Sequence, residues 1–265
     1  MSIRVIVAGA TGWAGGAVAR AVLGDARFAL VGAVGRRHAG QDLGDVFGHA
    51  PVGITVSGTL AEALQARADV LVDYTHPLSV KSHVLAALDA GVSAVVGTSG
   101  LNAGDYVEIE GRARQTGRGV IAAGNFSLTA ALAKSFALTA ARYLQQAELI
   151  DYASAGKPDA PSGTVLELAE ALGPLVDGGA RLVALGVPET RGADIGGVSV
   201  HAVRLPGYVI AFDALFGQPD ERLLIRHEAG SSAAPYVAGT LLAVERVGGI
   251  TGLVRGLDRL LFPGE

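Results

Sequence analysis

The stretch Ser154-Ala-Gly-Lys157-Pro-Asp-Ala-Pro161-Ser162-Gly163-Thr164 sets one lysine ahead of a proline-fixed turn and three small residues at a predicted helix start. Amides at a helix start have no internal acceptor and lie at the positive end of the aligned peptide dipoles. With an ammonium nearby, an anion held there gains charge-assisted hydrogen bonds. Lys157, Ser162, Gly163 and Thr164 are therefore predicted to bind a small anion. Without a ligand the same residues would form a plain N-cap beside a surface lysine.

A second helix start carries Gly9-Ala-Thr11-Gly12-Trp13-Ala14-Gly15. It follows the β-branched run Ile3 to Ala8 and precedes Ala, Val and Leu at helical spacing. Strand, glycine turn and helix in that order present amides to a pyrophosphate, whereas the glycine spacing by itself would mark only a tight turn. The next apolar run, Phe28 to Val34, ends in Gly35-Arg36-Arg37. A site for an unphosphorylated ribose carries an acid at that strand end; two arginines suit a 2′-phosphate. NADPH is the predicted cofactor, with NADH as the alternative.

These groups need a frame, and the chain supplies a regular one. Apolar runs at "ADVLVDYTHP", "VSAVVGTSG" and "GVIAAGNFS" each end in small or hydroxylated residues, with the helical "SVKSHVLAALDAG" between the first two. Alternating strands and helices to residue 125 predict a Rossmann-type doubly wound parallel sheet. Beyond it lie a helix from Leu128 to Tyr143 and the runs "AELIDYASAG", "VSVHAVRLPGYVIAFDALFG" and "ERLLIRHEAG". The later runs have no helices between them and predict a second, α+β domain on a mostly antiparallel sheet. The expected organisation is a dinucleotide-binding domain at 1–125, a substrate-binding and oligomerisation domain at 126–236, and helices over Val237 to Val247 and Leu253 to Leu261 in a tail, 237–265, that packs back on the first domain.

Composition narrows the function classes. Half of the 265 residues are apolar, 17% are charged and 38 are scattered glycines, as suits an α/β protein rich in tight turns. A net charge of −4 supplies no field for nucleic acid, and no apolar run is long enough to span a bilayer. The absence of cysteine excludes disulfides and thiolate chemistry, and no His, Asp or Glu cluster has metal-ligand spacing, so no metal is expected. The N-terminus lacks the basic start and cleavage site of a signal peptide, and a cytoplasmic location is expected.

Taken together, "GATGWAG", "DYTHP", "VVGTSG", "AGNFS", "KPDAPSGT", "VHAVRLPGY" and "LLIRHE" resemble the dihydrodipicolinate reductase family of bacterial lysine biosynthesis across nearly the whole chain. The resemblance implies an N-terminal dinucleotide-binding domain completed by C-terminal helices, and a central domain that assembles tetramers through its sheet. It places cofactor contacts on Gly9, Thr11, Gly12, Trp13 and Ala14, on Arg36 and Arg37, on Gly97, Thr98 and Ser99, and on Ala123, Asn125 and Phe126. Ser99 stands where threonine is usual. The resemblance makes Lys157 the substrate lysine, and Ser162, Gly163 and Thr164 the segment that binds a substrate carboxylate.

One departure bears on the chemistry. The family's pattern sets two adjacent histidines ahead of the lysine, credited with substrate binding and with the proton that accompanies hydride transfer; Ala153 and Ser154 occupy those positions. An alanine has no proton to give, and a serine hydroxyl is too weak an acid unaided. The family's arginine near an aromatic is also missing from Ser231 to Ala234. Lys157, then Tyr152, are the remaining candidate proton donors. His76 and His201 fall in family-like segments and are expected to border the cleft; His38, His49 and His83 read as surface or packing positions, and His227 as structural. The leading expectation is a reductase that moves hydride from NADPH to a C=N or conjugated C=C bond of a small carboxylated substrate other than the usual one. A dihydrodipicolinate reductase with an atypical proton donor and a catalytically silent NADPH-binding protein are the alternatives.

Overall fold

The structure is a computed structural model describing residues 2–177 and 186–262. Residue 1, residues 178–185 and residues 263–265 of the expected segments lie outside the described residues. The chain divides into two compact units, Met1–Leu128 with Ala233–Glu265, and Thr129–Ser232.

In the first unit, β1 (Ile3–Ala8), α1 (Trp13–Gly24) and β2 (Phe28–Val34) follow the predicted strand, turn and helix. The single-turn α2 (Leu43–Val46), the short β3 (Val56–Ser57) and α3 (Leu60–Ala63) come next, none of them foreseen because two to four residues show no periodicity. Then come β4 (Val70–Asp73), α4 (Pro77–Asp89), β5 (Ser93–Val96), α5 (Ala103–Thr116) and β6 (Gly119–Ala122). All residues of β4, β5 and β6 are buried, which explains why their sequences run apolar instead of alternating, with Asp73 and Ser93 the polar exceptions at strand ends. Burying a valine or isoleucine fully contributes about 1.5–3 kcal/mol.

In the second unit, α6 (Leu128–Ala141) stops two residues before the expected Tyr143. It leads to β7 (Gln146–Ala153), α7 (Gly163–Leu172), β8 (Ala193–Ile195), β9 (Val198–Arg204), β10 (Ile210–Gln218) and β11 (Glu221–Ala229). The sheet order is β11-β10-β7-β9-β8. Three pairings are antiparallel, but β7 and β9 run parallel; the expectation of no helices between the later runs is corrected here, because α7 lies between these two strands and supplies the crossover that a parallel pair needs. Leu149, Phe212, Ala214, Phe216 and Val200 of the sheet face Val165, Leu168 and Leu172 of α7 and Ala137 of α6 in one apolar core.

The chain then re-enters the first unit. Helix α8 (Ala234–Val247) packs on α1 and on β5 and β6. The expected helix over Leu253 to Leu261 is corrected: β12 (Gly252–Arg255) pairs parallel with β6, and only α9 (Asp258–Leu261) is helical. Gly252 and Gly256, at φ +98 and +90, bracket the Leu-Val run with a backbone no helix can hold. The completed parallel sheet has the order β12-β6-β5-β4-β1-β2-β3. Strand order reverses between β1 and β4, where doubly wound sheets bind ligands at their carboxyl ends.

Candidate active site

The turn after β1 is shaped by close approaches that only glycine permits. Gly9 adopts φ +80, and a Cβ there would lie 2.1 Å from the Tyr74 carbonyl oxygen; a Cβ at Gly15 would lie 2.2 Å from that of Gly9. Gly12 caps α1 with an extended backbone, and no acid occupies the first turn. The amides of Trp13 and Ala14 meet no acceptor among the described residues, so the turn can hold a pyrophosphate. Trp13 is 57% exposed and sits edge-on to Tyr236, with ring centroids 5.6 Å apart. A Cβ at Gly35 would lie 2.7 Å from Thr11 Oγ1, so β2 delivers the exposed Arg36 and Arg37 beside the glycine turn. Neither arginine has a carboxylate partner among the described residues.

The ends of β4 to β6 supply the rest of this half. A Cβ at Gly97 would run into the Tyr74 ring at 2.1 Å. Tyr74 meets Phe126 edge-on and donates its phenol hydrogen to Thr240 Oγ1 at 2.7 Å, while Thr240 donates to the Tyr236 carbonyl. Burial pushes the Tyr74 hydroxyl well above its ordinary value. Thr98 is half-buried and Ser99 exposed. Asn125 Oδ1 accepts from Ser127 N at 2.8 Å, and Phe126 is buried, so a ligand beside Ala123 to Phe126 would meet main chain there.

In the second unit, the lysine-bearing stretch is tied down by a residue that sequence reasoning did not single out. Asp151, fully buried on β7, accepts from Ser162 N at 2.8 Å, from Ser162 Oγ at 2.7 Å and from Arg204 Nη2 at 2.7 Å. Arg204 Nη2 also donates to the Asp159 carbonyl at 2.8 Å. The Ser162 hydroxyl is thus committed to Asp151 and to the first turn of α7, which leaves main-chain groups to face a ligand. At Gly163 a Cβ would meet open space, so the helix start is accessible there. Lys157 Nζ contacts Asp159 Oδ1 at 2.5 Å. Partial burial works to raise the Asp159 carboxyl, but the Lys157 hydrogen bond and charge hold it below the ordinary carboxylate range.

Tyr152 stacks on Tyr208 at 5.0 Å and donates to Asp213 Oδ2 at 3.0 Å. Burial, then the Asp213 hydrogen bond and charge, raise its hydroxyl above the usual phenol value, which makes it a poorer acid. Ala153 is fully buried and Ser154 exposed. Among the histidines, His76 caps α4 by accepting from Leu78 N, His38 lies 3.3 Å from Gln41, His49 is exposed and His201 lies 2.9 Å from Glu148. His83 does more than pack: its Nδ1 lies 2.8 Å from the buried Asp73. His227 stacks on Phe212, and burial lowers its pKa. The unfolded chain therefore takes up a proton at higher pH than the folded one, so this contribution to stability is complete above about pH 6.5 and lost as pH falls through the folded value. Thermal melts of His227→Gln should show a flatter acid-side decline; an unchanged slope would remove His227 as its source.

The family models described as "Dihydrodipicolinate reductase, N-terminus" and "Dihydrodipicolinate reductase, C-terminus" match residues 3–126 and 127–261. The chain belongs to the dihydrodipicolinate reductase family. It is accordingly an NAD(P)H-dependent oxidoreductase built on a Rossmann-like sheet with a second mixed-sheet domain. It is 39% identical to a 4-hydroxy-tetrahydrodipicolinate reductase of Desulfitobacterium hafniense and 38% identical to one of Moorella thermoacetica, with 98% of both chains covered in each case. The dipicolinate-bound dihydrodipicolinate reductase of Paenisporosarcina sp. TG-14 superposes with a TM-score of 0.80 at 28% identity, covering 98% of this chain and 99% of that one. Among the described residues no helix is long and apolar enough to cross a membrane, and no group of three His, Asp or Glu could hold a metal.

Proposed function

We propose that the protein reduces a C=N or conjugated C=C bond of a small carboxylated substrate, with NADPH as the preferred donor and a substrate other than the family's usual one. The observation that carries this reading is the buried Ala153 beside Ser154 where the family's pattern has two histidines, next to a lysine and an accessible helix start that persist. A bound nicotinamide supplies the hydride. Residues 1–125 hold the cofactor: the Gly9 to Ala14 turn takes the pyrophosphate, Arg36 and Arg37 the 2′-phosphate, and Gly97 to Ser99 with Ala123, Asn125 and Phe126 line the nicotinamide side. Residues 126–236 hold the substrate and assemble a homo-oligomer, a tetramer by family analogy, while 237–265 complete the first domain.

On the substrate side, the amides of Gly163 and Thr164 and the Lys157 ammonium receive the carboxylate, and Ser162 acts by fixing the helix start. Lys157 also delivers the proton, because the Tyr152 hydroxyl is occupied by Asp213 and shifted away from neutrality. A protonated iminium substrate would dispense with an acid altogether. The second reading is the family's usual substrate turned over with an atypical donor; the full-length identity to relatives named 4-hydroxy-tetrahydrodipicolinate reductase favours it.

NADPH oxidation followed by absorbance separates these readings, using the lysine-pathway substrate generated in place and a panel of cyclic imines and unsaturated dicarboxylates. Turnover on a panel compound supports the first reading, and turnover on the pathway substrate alone supports the second. Absence of turnover despite NADPH binding would leave a silent binder. Ala153→His with Ser154→His should raise activity on the pathway substrate; no gain would show that the missing imidazoles are not the limiting defect. Arg36→Ala with Arg37→Ala should weaken NADPH about tenfold or more and leave NADH nearly unchanged, since each lost arginine–phosphate contact is a charge-assisted hydrogen bond. Equal affinities before and after would make the pair ordinary surface.

A further inference from the structure

We propose that His83, through Asp73, is a positioning residue for the cofactor. The inference rests on the reading above that Gly97 to Ser99 border the nicotinamide.

Asp73 ends β4 and is fully buried, a costly place for a carboxylate unless each oxygen is satisfied. Its Oδ1 accepts from Thr75 N at 3.1 Å, Thr75 Oγ1 at 2.7 Å and Thr98 Oγ1 at 2.6 Å. Thr98 Oγ1 in turn accepts from Thr75 N at 2.7 Å, so the turns after β4 and β5 are laced together through one carboxylate. These strand ends lie at the carboxyl edge of the sheet, next to the reversal in strand order.

The other oxygen, Oδ2, accepts from His83 Nδ1 at 2.8 Å. His83 stands on the second turn of α4, whose side chains lean toward the helix start and so back toward the end of β4. A carboxylate partner requires the hydrogen on Nδ1, which settles the tautomer. The imidazole satisfies the last acceptor of Asp73, so the carboxylate stays fixed and Thr98 stays oriented. Without that donor a buried oxygen loses its partner, and the carboxylate that anchors the threonine pair, and through it Gly97 to Ser99, is held only through Oδ1.

The test compares His83→Asn with His83→Gln in the full-length protein. An asparagine amide nitrogen falls close to Nδ1, whereas the glutamine amide lies where Nε2 does and misses Asp73. NADPH binding is read from the fluorescence of Trp13, the one tryptophan of the chain, alongside KM and kcat and thermal melts. His83→Gln should raise the Kd and KM for NADPH about tenfold or more, the usual scale for a lost hydrogen bond to a buried charge. His83→Asn should retain most of the affinity, and dipicolinate binding should not change in either. Equal NADPH affinity in both variants, whether retained or lost, would overturn the proposal. Failure of the unmodified protein to bind NADPH would overturn the functional reading itself and this proposal with it.

Discussion

Asp151→Ala is expected to lower the stability of the second unit by about 3 kcal/mol, because it removes the fully buried member of an ion pair and strips the carboxylate partner from a largely buried guanidinium. Arg204 Nε already lacks a hydrogen-bond partner among the described residues, so losing the 2.7 Å contact from Nη2 leaves a desolvated cation with main-chain carbonyls alone. The same substitution releases Ser162 N and Oγ, and the start of α7 loses the strand that holds it. Asp151→Asn should fall between, since an amide can accept from Ser162 but cannot match the charge of Arg204. Urea unfolding of both variants measures the effect. A cost below about 1 kcal/mol for the alanine variant, within the range of an ordinary surface change, would show that Asp151 does not organise this stretch.

The parts readable beforehand were those with a repeating physical signal. β1 and β2 match their apolar runs because a strand largely covered on both faces writes itself as a nearly continuous apolar sequence, broken in β1 only by Arg4 near its start. The C-terminal run Leu253 to Leu261 misled because Leu253, Leu257, Leu260 and Leu261 mimic helical spacing; the deciding information was the left-handed backbone at Gly252 and Gly256, which spacing does not carry. The parallel pairing of β7 with β9 was likewise invisible, since it depends on α7 crossing between them and on no local preference of either strand. Among site residues, the glycine turn and the lysine stretch announce themselves by spacing. Asp73, Asp151 and Arg204 do not: a charged residue within an apolar strand signals only that it has a partner, and apart from Thr75 the side chains or amides that decide their roles, His83, Ser162 and the Asp151–Arg204 pairing, lie 10 to 53 residues apart. His83 shows the limit most plainly. Its helical neighbours make it look like a packing position, and only the fold brings it onto Asp73.

Lys157→Ala should raise the KM for an anionic substrate about ten- to a hundredfold, the equivalent of one hydrogen bond between charged groups, and leave the Kd for NADPH unchanged. The ammonium is held by Asp159 and is only partly exposed, so a carboxylate arriving at the start of α7 meets a charge already placed instead of a mobile side chain. Lys157→Arg should not restore full affinity, because a planar fork cannot occupy the position of a compact ammonium. If Lys157 also delivers the proton, the alanine variant loses kcat on an imine substrate as well, whereas an iminium substrate shows the KM effect alone. Steady-state kinetics with NADPH saturating separate the two contributions. An equal loss of NADPH affinity would place Lys157 at the cofactor and undo its assignment to the substrate, and unchanged constants throughout would make the Lys157–Asp159 pair a surface ion pair of little consequence.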